Sequence, residues 1–227
     1  MKALDPLITE RKRQGTAPLI TFEELVVPLT PEQRRFLDAF RELDPAQLGG
    51  SNRKLPPPVP DTWFIRLDTQ AVLRDGKPIM LDTQYLPALA AEHYRTMMAA
   101  MELDIGRRLL VESGYRSPAY QLYLFLFYLP KHGHSIRETN RFVALPGFSE
   151  HGCPARQAID FITPEGINGE DRPEEFEELQ EYGWLQARAQ EFGFHLSYPR
   201  KPKGSDPNKT GSDPAFEPWH WHWESGE

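Results

Sequence analysis

Only one cysteine, Cys153, occurs in the 227 residues. An intramolecular disulfide is therefore impossible, and so is a cysteine-rich zinc knuckle; any metal held by this chain has to be bound by histidine and carboxylate. Long hydrophobic runs are missing as well. No stretch of about 18 apolar residues exists, and the first fifteen residues carry Lys2, Asp5, Glu10, Arg11, Lys12 and Arg13 in place of the apolar centre of a signal peptide. The chain reads as soluble and without a cleavable export signal, which suits the cytoplasm or release by a signal-independent route. Excess positive charge is lacking too. Against 33 Asp and Glu stand 26 Lys and Arg, a net charge of -7, so a nucleic-acid backbone is a poor partner. What is present is enough apolar material for a core, 39% hydrophobic and 11% aromatic residues, in a length suited to one domain or one domain with an extension.

The first sixty residues read as an extension with one helix of its own. Thr30 can cap it, Pro31 suits its first position, and Gln33 completes a Thr-x-x-Gln capping box before Phe36, Leu37 and Phe40. Gly49-Gly50 stops it. The stretch Leu55-Pro56-Pro57-Pro58-Val59-Pro60 favours extended polyproline geometry and marks the boundary, giving 1–60 as an N-terminal extension and 61–227 as the main domain.

In the second part, Trp63 to Leu67 and Ala71 to Leu73 read as strands, with Asp75-Gly76 turning the chain back through Pro78 to Leu81 as a hairpin. A long helix opens at Pro87 and runs to Gly106. Arg108 to Glu112 is a strand, and Ser117-Pro118 caps and starts a mostly apolar helix through Tyr128. One further helix is expected from Pro173 to Phe192, then strands at Phe194 to Tyr198 and Trp219 to Trp223, the last two separated by a loop rich in Pro, Gly, Ser, Asp and Lys. Strands and helices interleave without a regular βαβ rhythm. The expected class is α+β, with a small, largely antiparallel sheet packed with helices.

Four residues in this part have the chemistry of a hydrolytic zinc centre. Such a centre takes three protein ligands from His, Asp and Glu and leaves one position for water, and a further carboxylate shuttles the proton. His151, Asp160 and His220 can supply the ligands, and Glu217 can supply the base. Alternation along the last strand puts His220, His222 and Glu224 on one face and Trp219, Trp221 and Trp223 on the other. Glu217 has the wrong parity for the histidine face, so Pro218, which ends a ladder, would leave it in the preceding loop. Two ligands from His220 and His222 would strain a strand, so His222 is better suited to touching the substrate or a ligand's far side. His93, His132, His134 and His195 read as structural or solvated.

Several motifs resemble, in order, those of the VanY-like zinc D-alanyl-D-alanine carboxypeptidases over roughly residues 80 to 223. They are Ser113-Gly114-Tyr115-Arg116-Ser117 with Gln121; Leu145-Pro146-Gly147-Phe148-Ser149-Glu150-His151; Ala158-Ile159-Asp160; Gly193-Phe194 with Tyr198-Pro199; Thr210-Gly211; and Glu217-Pro218-Trp219-His220. The resemblance implies a hedgehog-type D,D-peptidase fold, one Zn2+ held by His151, Asp160 and His220, Glu217 as catalytic base and Arg116 as the group that stabilises the oxyanion. It also implies Ser149 and Gln121 as contacts to a peptidoglycan stem peptide, and removal of a terminal D-alanine as the activity. The alternatives are a D,D-dipeptidase, an L,D-carboxypeptidase or a cell-wall endopeptidase with similar zinc chemistry, and a non-catalytic zinc-containing binding module of the same fold.

The chain departs from that pattern in three places. His151 and Asp160 are nine positions apart, two more than the family spacing, which points to a wider loop over Gly152 to Gln157 holding Cys153 and Arg156 beside the cleft. His222 stands where relatives often carry arginine, and the loop from Arg200 to Phe216 is long. A serine peptidase of the penicillin-binding type is suggested by Ser51-x-x-Lys54 and Lys209-Thr210-Gly211, but Ser51 follows Gly-Gly where a helix should start, and no Ser-Asp-Asn lies between the two pieces.

Overall fold

In a computed structural model of the chain, residues 2–44, 48, 55–56, 62–200 and 216–224 are described. The Gly49-Gly50 stop, Ser51 and Lys54, most of the Leu55–Pro60 stretch, and the 201–215 portion of the long loop, with Lys209-Thr210-Gly211 in it, lie outside them. In chain order the elements begin with helices α1 (Asp5–Gln14), α2 (Phe22–Leu25) and α3 (Pro31–Arg41). Strands β1 (Phe64–Leu67), β2 (Ala71–Arg74), β3 (Lys77–Met80) and β4 (Gln84–Pro87) precede helix α4 (Ala88–Ile105). Then come β5 (Leu110–Ser113), α5 (Pro118–Tyr128), α6 (Ile136–Thr139) and β6 (Arg156–Ile162), followed by α7 (Pro173–Glu177), α8 (Gln180–Arg188), β7 (Phe194–Leu196) and β8 (His220–Glu224).

The chain divides into two compact units. One combines the described part of Met1–Pro57 with Arg116–Gly152. The capping box at the start of α3 forms as the sequence requires: Gln33 N donates to Thr30 Oγ1 and Thr30 N donates to Gln33 Oε1. Helix α5 is tied to the N-terminal segment at its first turn. Ser117 Oγ accepts from Tyr120 N at 3.1 Å and donates to the Ile20 carbonyl at 2.6 Å, while Ser117 N bonds the Pro18 carbonyl. Leu25, Leu37 and Phe40 then share one apolar core with Leu122, Phe125 and Leu145, each large side chain contributing about 1.5–3 kcal/mol by leaving water.

The other unit comprises the described parts of Pro58–Tyr115, Cys153–Arg200 and Phe216–Glu227. Its main sheet has the order β5-β6-β8-β7, antiparallel throughout, and β1-β4 and β2-β3 form two antiparallel pairs. This is the expected α+β arrangement. Asp75 and Gly76 both take positive φ, 50° and 71°, which matches the twist of the β2-β3 hairpin. Pro87 caps α4 instead of starting it, and Gly106 in the left-handed conformation ends that helix. Met97, Met98 and Met101 of α4 fill the core against Val111, Phe161 and Trp221.

The single helix expected over Pro173–Phe192 is instead two α-helices and a closing 3-10 turn, Ala189–Phe192. Leu179 is extended, with φ -66° and ψ 145°. At about 100° per residue, an unbroken helix would set Phe176 and Leu185 half a turn apart, yet both are buried in the same core. The break lets both reach it. No helix among the described residues is long and apolar enough to cross a membrane.

Candidate metal centre

Strand pairing creates the first half of the site. Asp160 near the middle of β6 and His220 at the start of β8 are cross-strand partners, and His220 Nδ1 lies 2.8 Å from Asp160 Oδ1. Both side chains are nearly buried, 8% and 13% exposed. Behind them, Trp221 and Trp223 point into the core, as two-residue alternation demands.

Glu217 sits in the turn before β8. Its amide donates to the Tyr198 carbonyl and its carbonyl accepts from His220 N, both at 3.2 Å. This brings Glu217 Oε2 to 3.8 Å from His220 Nδ1. The parity that denied Glu217 a place on the histidine face is overcome by the turn, and the Tyr198 ring lies against His220 at 5.0 Å between centroids.

His151 lies in a 3-10 turn, Glu150–Gly152, and is 3% exposed. Its carbonyl accepts from Arg116 N at 3.0 Å, so the Arg116 backbone is anchored to the histidine's own turn. Gly152 approaches closely here, since a Cβ on it would stand 3.3 Å from the Arg116 carbonyl. One donor atom each of His151, Asp160 and His220 falls within 4.8 Å of the others, a group able to hold a metal ion. Two imidazoles and a carboxylate match the donor set of a catalytic zinc centre, with three protein ligands.

The family resemblance implied Ser149 and Gln121 as contacts to the peptide. Both are buried, and Ser149 accepts a backbone bond from Gly152 that shapes the His151 turn. Gln121 is on the inner side of α5, where Nε2 donates to the Ala144 carbonyl at 2.7 Å and Oε1 has no hydrogen-bond partner among the described residues. The wider loop expected over Gly152 to Gln157 is shorter than that. Cys153 is buried, and Arg156 and Gln157 already belong to β6. Alternation explains this, because Arg156, Ala158 and Asp160 continue one face of β6.

Two groups near the site escaped the sequence reading. A bulge between Val111 and Ser113 makes Glu112 the extra residue opposite β6, with Ser113 paired to Asp160. Burial, followed by repulsion from the Asp160 carboxylate, pushes Glu112 up to about 7, against a lowering hydrogen bond from Asn168. No sequence signal marks this bulge. The second group is Ser197, whose Oγ is 2.7 Å from His222 Nδ1, while the His195 ring stacks on His222; alternation on β8 was the available clue.

The family model of VanY, D-alanyl-D-alanine carboxypeptidase, matches residues 83–226. YodJ of Bacillus subtilis (strain 168), which bears a provisional carboxypeptidase name, is 30% identical over 140 residues, 62% of this chain and 46% of its own length. The chain thus spans about half of that relative. Among solved structures, the LdcB LD-carboxypeptidase has a TM-score of 0.56 at 25% identity, covering 77% of this chain and 73% of its own. A variant of the vancomycin-resistance D,D-pentapeptidase VanY in complex with Zn(II) has a TM-score of 0.50 at 22% identity, covering 78% of this chain and 88% of its own, a likeness of fold.

Proposed function

Because the chain belongs to the VanY family of D-alanyl-D-alanine carboxypeptidases, we propose that it is a zinc-dependent D,D-carboxypeptidase that removes the terminal D-alanine from peptidoglycan stem peptides. The observation that carries this reading is the grouping of His151, Asp160 and His220 inside the family-matched region. A zinc ion, when bound, supplies Lewis acidity that activates water and polarises a carbonyl.

The chain's own residues divide the remaining work. His151, Asp160 and His220 hold the ion. Glu217 takes a proton from the attacking water as the new C–O bond forms, and passes it to the leaving amine as the C–N bond breaks. Its position in the turn, beside His220 but off the strand face, suits a base that has to serve two atoms in succession. The Arg116 guanidinium is always charged and can stabilise the developing oxyanion, an effect typically worth roughly 3–4 kcal/mol for such a donor. Ser149 and Gln121 are the proposed contacts to the peptide.

An L,D-carboxypeptidase is the second reading, favoured by the likeness to LdcB. Mass spectrometry of products from D-Ala-D-Ala, a stem pentapeptide, a stem tetrapeptide and cross-linked muropeptides, each with and without a chelator, separates them. The proposal expects chelator-sensitive loss of one D-alanine from the pentapeptide. Cleavage of the tetrapeptide alone selects the second reading, cleavage only of the free dipeptide or the cross-link overturns both, and zinc binding without any turnover marks a binding module.

A further inference from the structure

The strand bearing His220 continues a two-residue repeat, Trp219-His220-Trp221-His222-Trp223. Sliding an antiparallel strand by two residues leaves every side chain on its original face, so this repeat makes the β6-β8 pairing nearly degenerate by pattern. In the observed register Asp160 faces His220, Ala158 faces His222 and Arg156 faces Glu224. A slide of β8 in one direction would set His222 opposite Asp160 and keep a tryptophan opposite Ile159. The opposite slide would keep tryptophan opposite both Ile159 and Gln157 but set Pro218 opposite Asp160. One alternative preserves a histidine beside the aspartate and the other preserves the indole face. Neither keeps Arg156 with Glu224, because Arg156 would face Gly226 or His222.

We infer that Arg156 and Glu224 are a positioning pair that sets the register of β8 and thereby presents His220, and not His222, beside Asp160. The inference rests on the reading of His151, Asp160 and His220 as the metal-holding group. Arg156 Nη1 is ion-paired with Glu224 Oε1, and Arg156 Nη2 lies 3.4 Å from His222 Nδ1. Arginine can only donate, so His222 Nδ1 is an acceptor there. His222 Nε2 lies 3.5 Å from Glu224 Oε1. Ser197 Oγ engages the same Nδ1, and His222 is buried, so its ring is committed to these partners. A partly exposed ion pair adds little to global stability; here it acts by difference, since the competing registers lack it.

Zinc affinity, measured by chelator competition, tests the pair in three backgrounds: the unaltered protein, Arg156→Met, and a charge swap of Arg156→Glu with Glu224→Arg. Each is measured with and without His222→Asn. Arg156→Met is expected to weaken zinc binding about ten-fold, at the low end of the loss typical for groups that orient ligands. His222→Asn should then weaken it further, because His222 becomes an alternative ligand in that background. In the unaltered and swapped proteins His222→Asn should weaken binding less than it does in Arg156→Met, and the swap should restore binding. Unchanged affinity in Arg156→Met, or the same effect of His222→Asn in all three backgrounds, overturns the inference. If Arg156→Met does not fold, the swap decides alone: affinity like the unaltered protein supports the pair, and a ten-fold loss on the scale above rejects it. His220→Asn separates this from the underlying reading, because zinc bound undiminished by His220→Asn would discard the metal centre itself, and the positioning pair with it.

Discussion

His220 Nδ1 and Asp160 Oδ1 stand 2.8 Å apart across two antiparallel strands whose register places the residues directly opposite each other. A pair held this way is preorganised by the sheet, with little side-chain freedom left to lose when a cation binds. Replacing Asp160 by Ala or His220 by Asn is expected to lower zinc affinity by more than about 100-fold, beyond the range seen for residues that merely orient ligands. Metal content after gel filtration checks this, and full zinc content in either variant would contradict it.

Glu217 is expected to behave differently from those two. Its backbone is held by Tyr198 and His220, so Glu217→Ala should preserve the turn and the metal while kcat falls roughly 10^2–10^4-fold, as for loss of a general base. Parallel measurement of metal content and kcat distinguishes this from loss of a ligand. Activity within a few-fold of the unaltered protein would remove Glu217 from the reaction.

Gly114 has a steric requirement. A Cβ there would stand 2.3 Å from the Tyr85 carbonyl oxygen and 3.1 Å from Leu86 Cδ2, and the same carbonyl accepts from Tyr115 N at 2.7 Å. Gly114→Ala must move backbone, and overpacking of this kind typically costs about 1–3 kcal/mol. Thermal unfolding should show a lower Tm, with activity reduced further because Arg116 follows two residues later.

Glu112 gives the metal-free protein a pH dependence of definite sign. Its folded pKa is raised from 4.5 to about 7, so between those values the folded state holds a proton that the unfolded chain has released. Stability from this group is complete below pH 4.5 and is lost as pH rises to 7. Glu112→Gln should flatten that slope and stabilise the chelated protein at pH 8 by about 1–3 kcal/mol, allowing for partial solvent screening. Urea unfolding at pH 5 and pH 8 measures it; an unchanged slope in the variant assigns the effect elsewhere.

Local rules were legible wherever a few neighbouring residues decide the outcome. Thr30-Pro31-Glu32-Gln33, Ser117-Pro118 and Asp75-Gly76 form the cap, helix start and hairpin turn that their chemistry requires. The break at Leu179 was not legible, because no proline or glycine causes it; burial of Phe176 and Leu185 in one core overrides helix propensity. The strand at Arg156 and Gln157, inside the expected Gly152–Gln157 loop, was not legible for a similar reason. Arg156 gains a cross-strand partner in Glu224, and that partner is 68 residues away in the chain.

By itself, the sequence determined the donor inventory: one cysteine, hence histidine and carboxylate for any metal, and alternation that separates His220 and His222 from the tryptophans. It also determined the small antiparallel sheet. Only the tertiary structure decided that Asp160 meets His220, that Glu217 reaches the same imidazole from a turn, and that Glu112 bulges beside them. Those outcomes depend on strand register, and a sequence repeating every two residues cannot specify register alone; contacts between distant strands have to choose among pairings that the pattern leaves nearly equal.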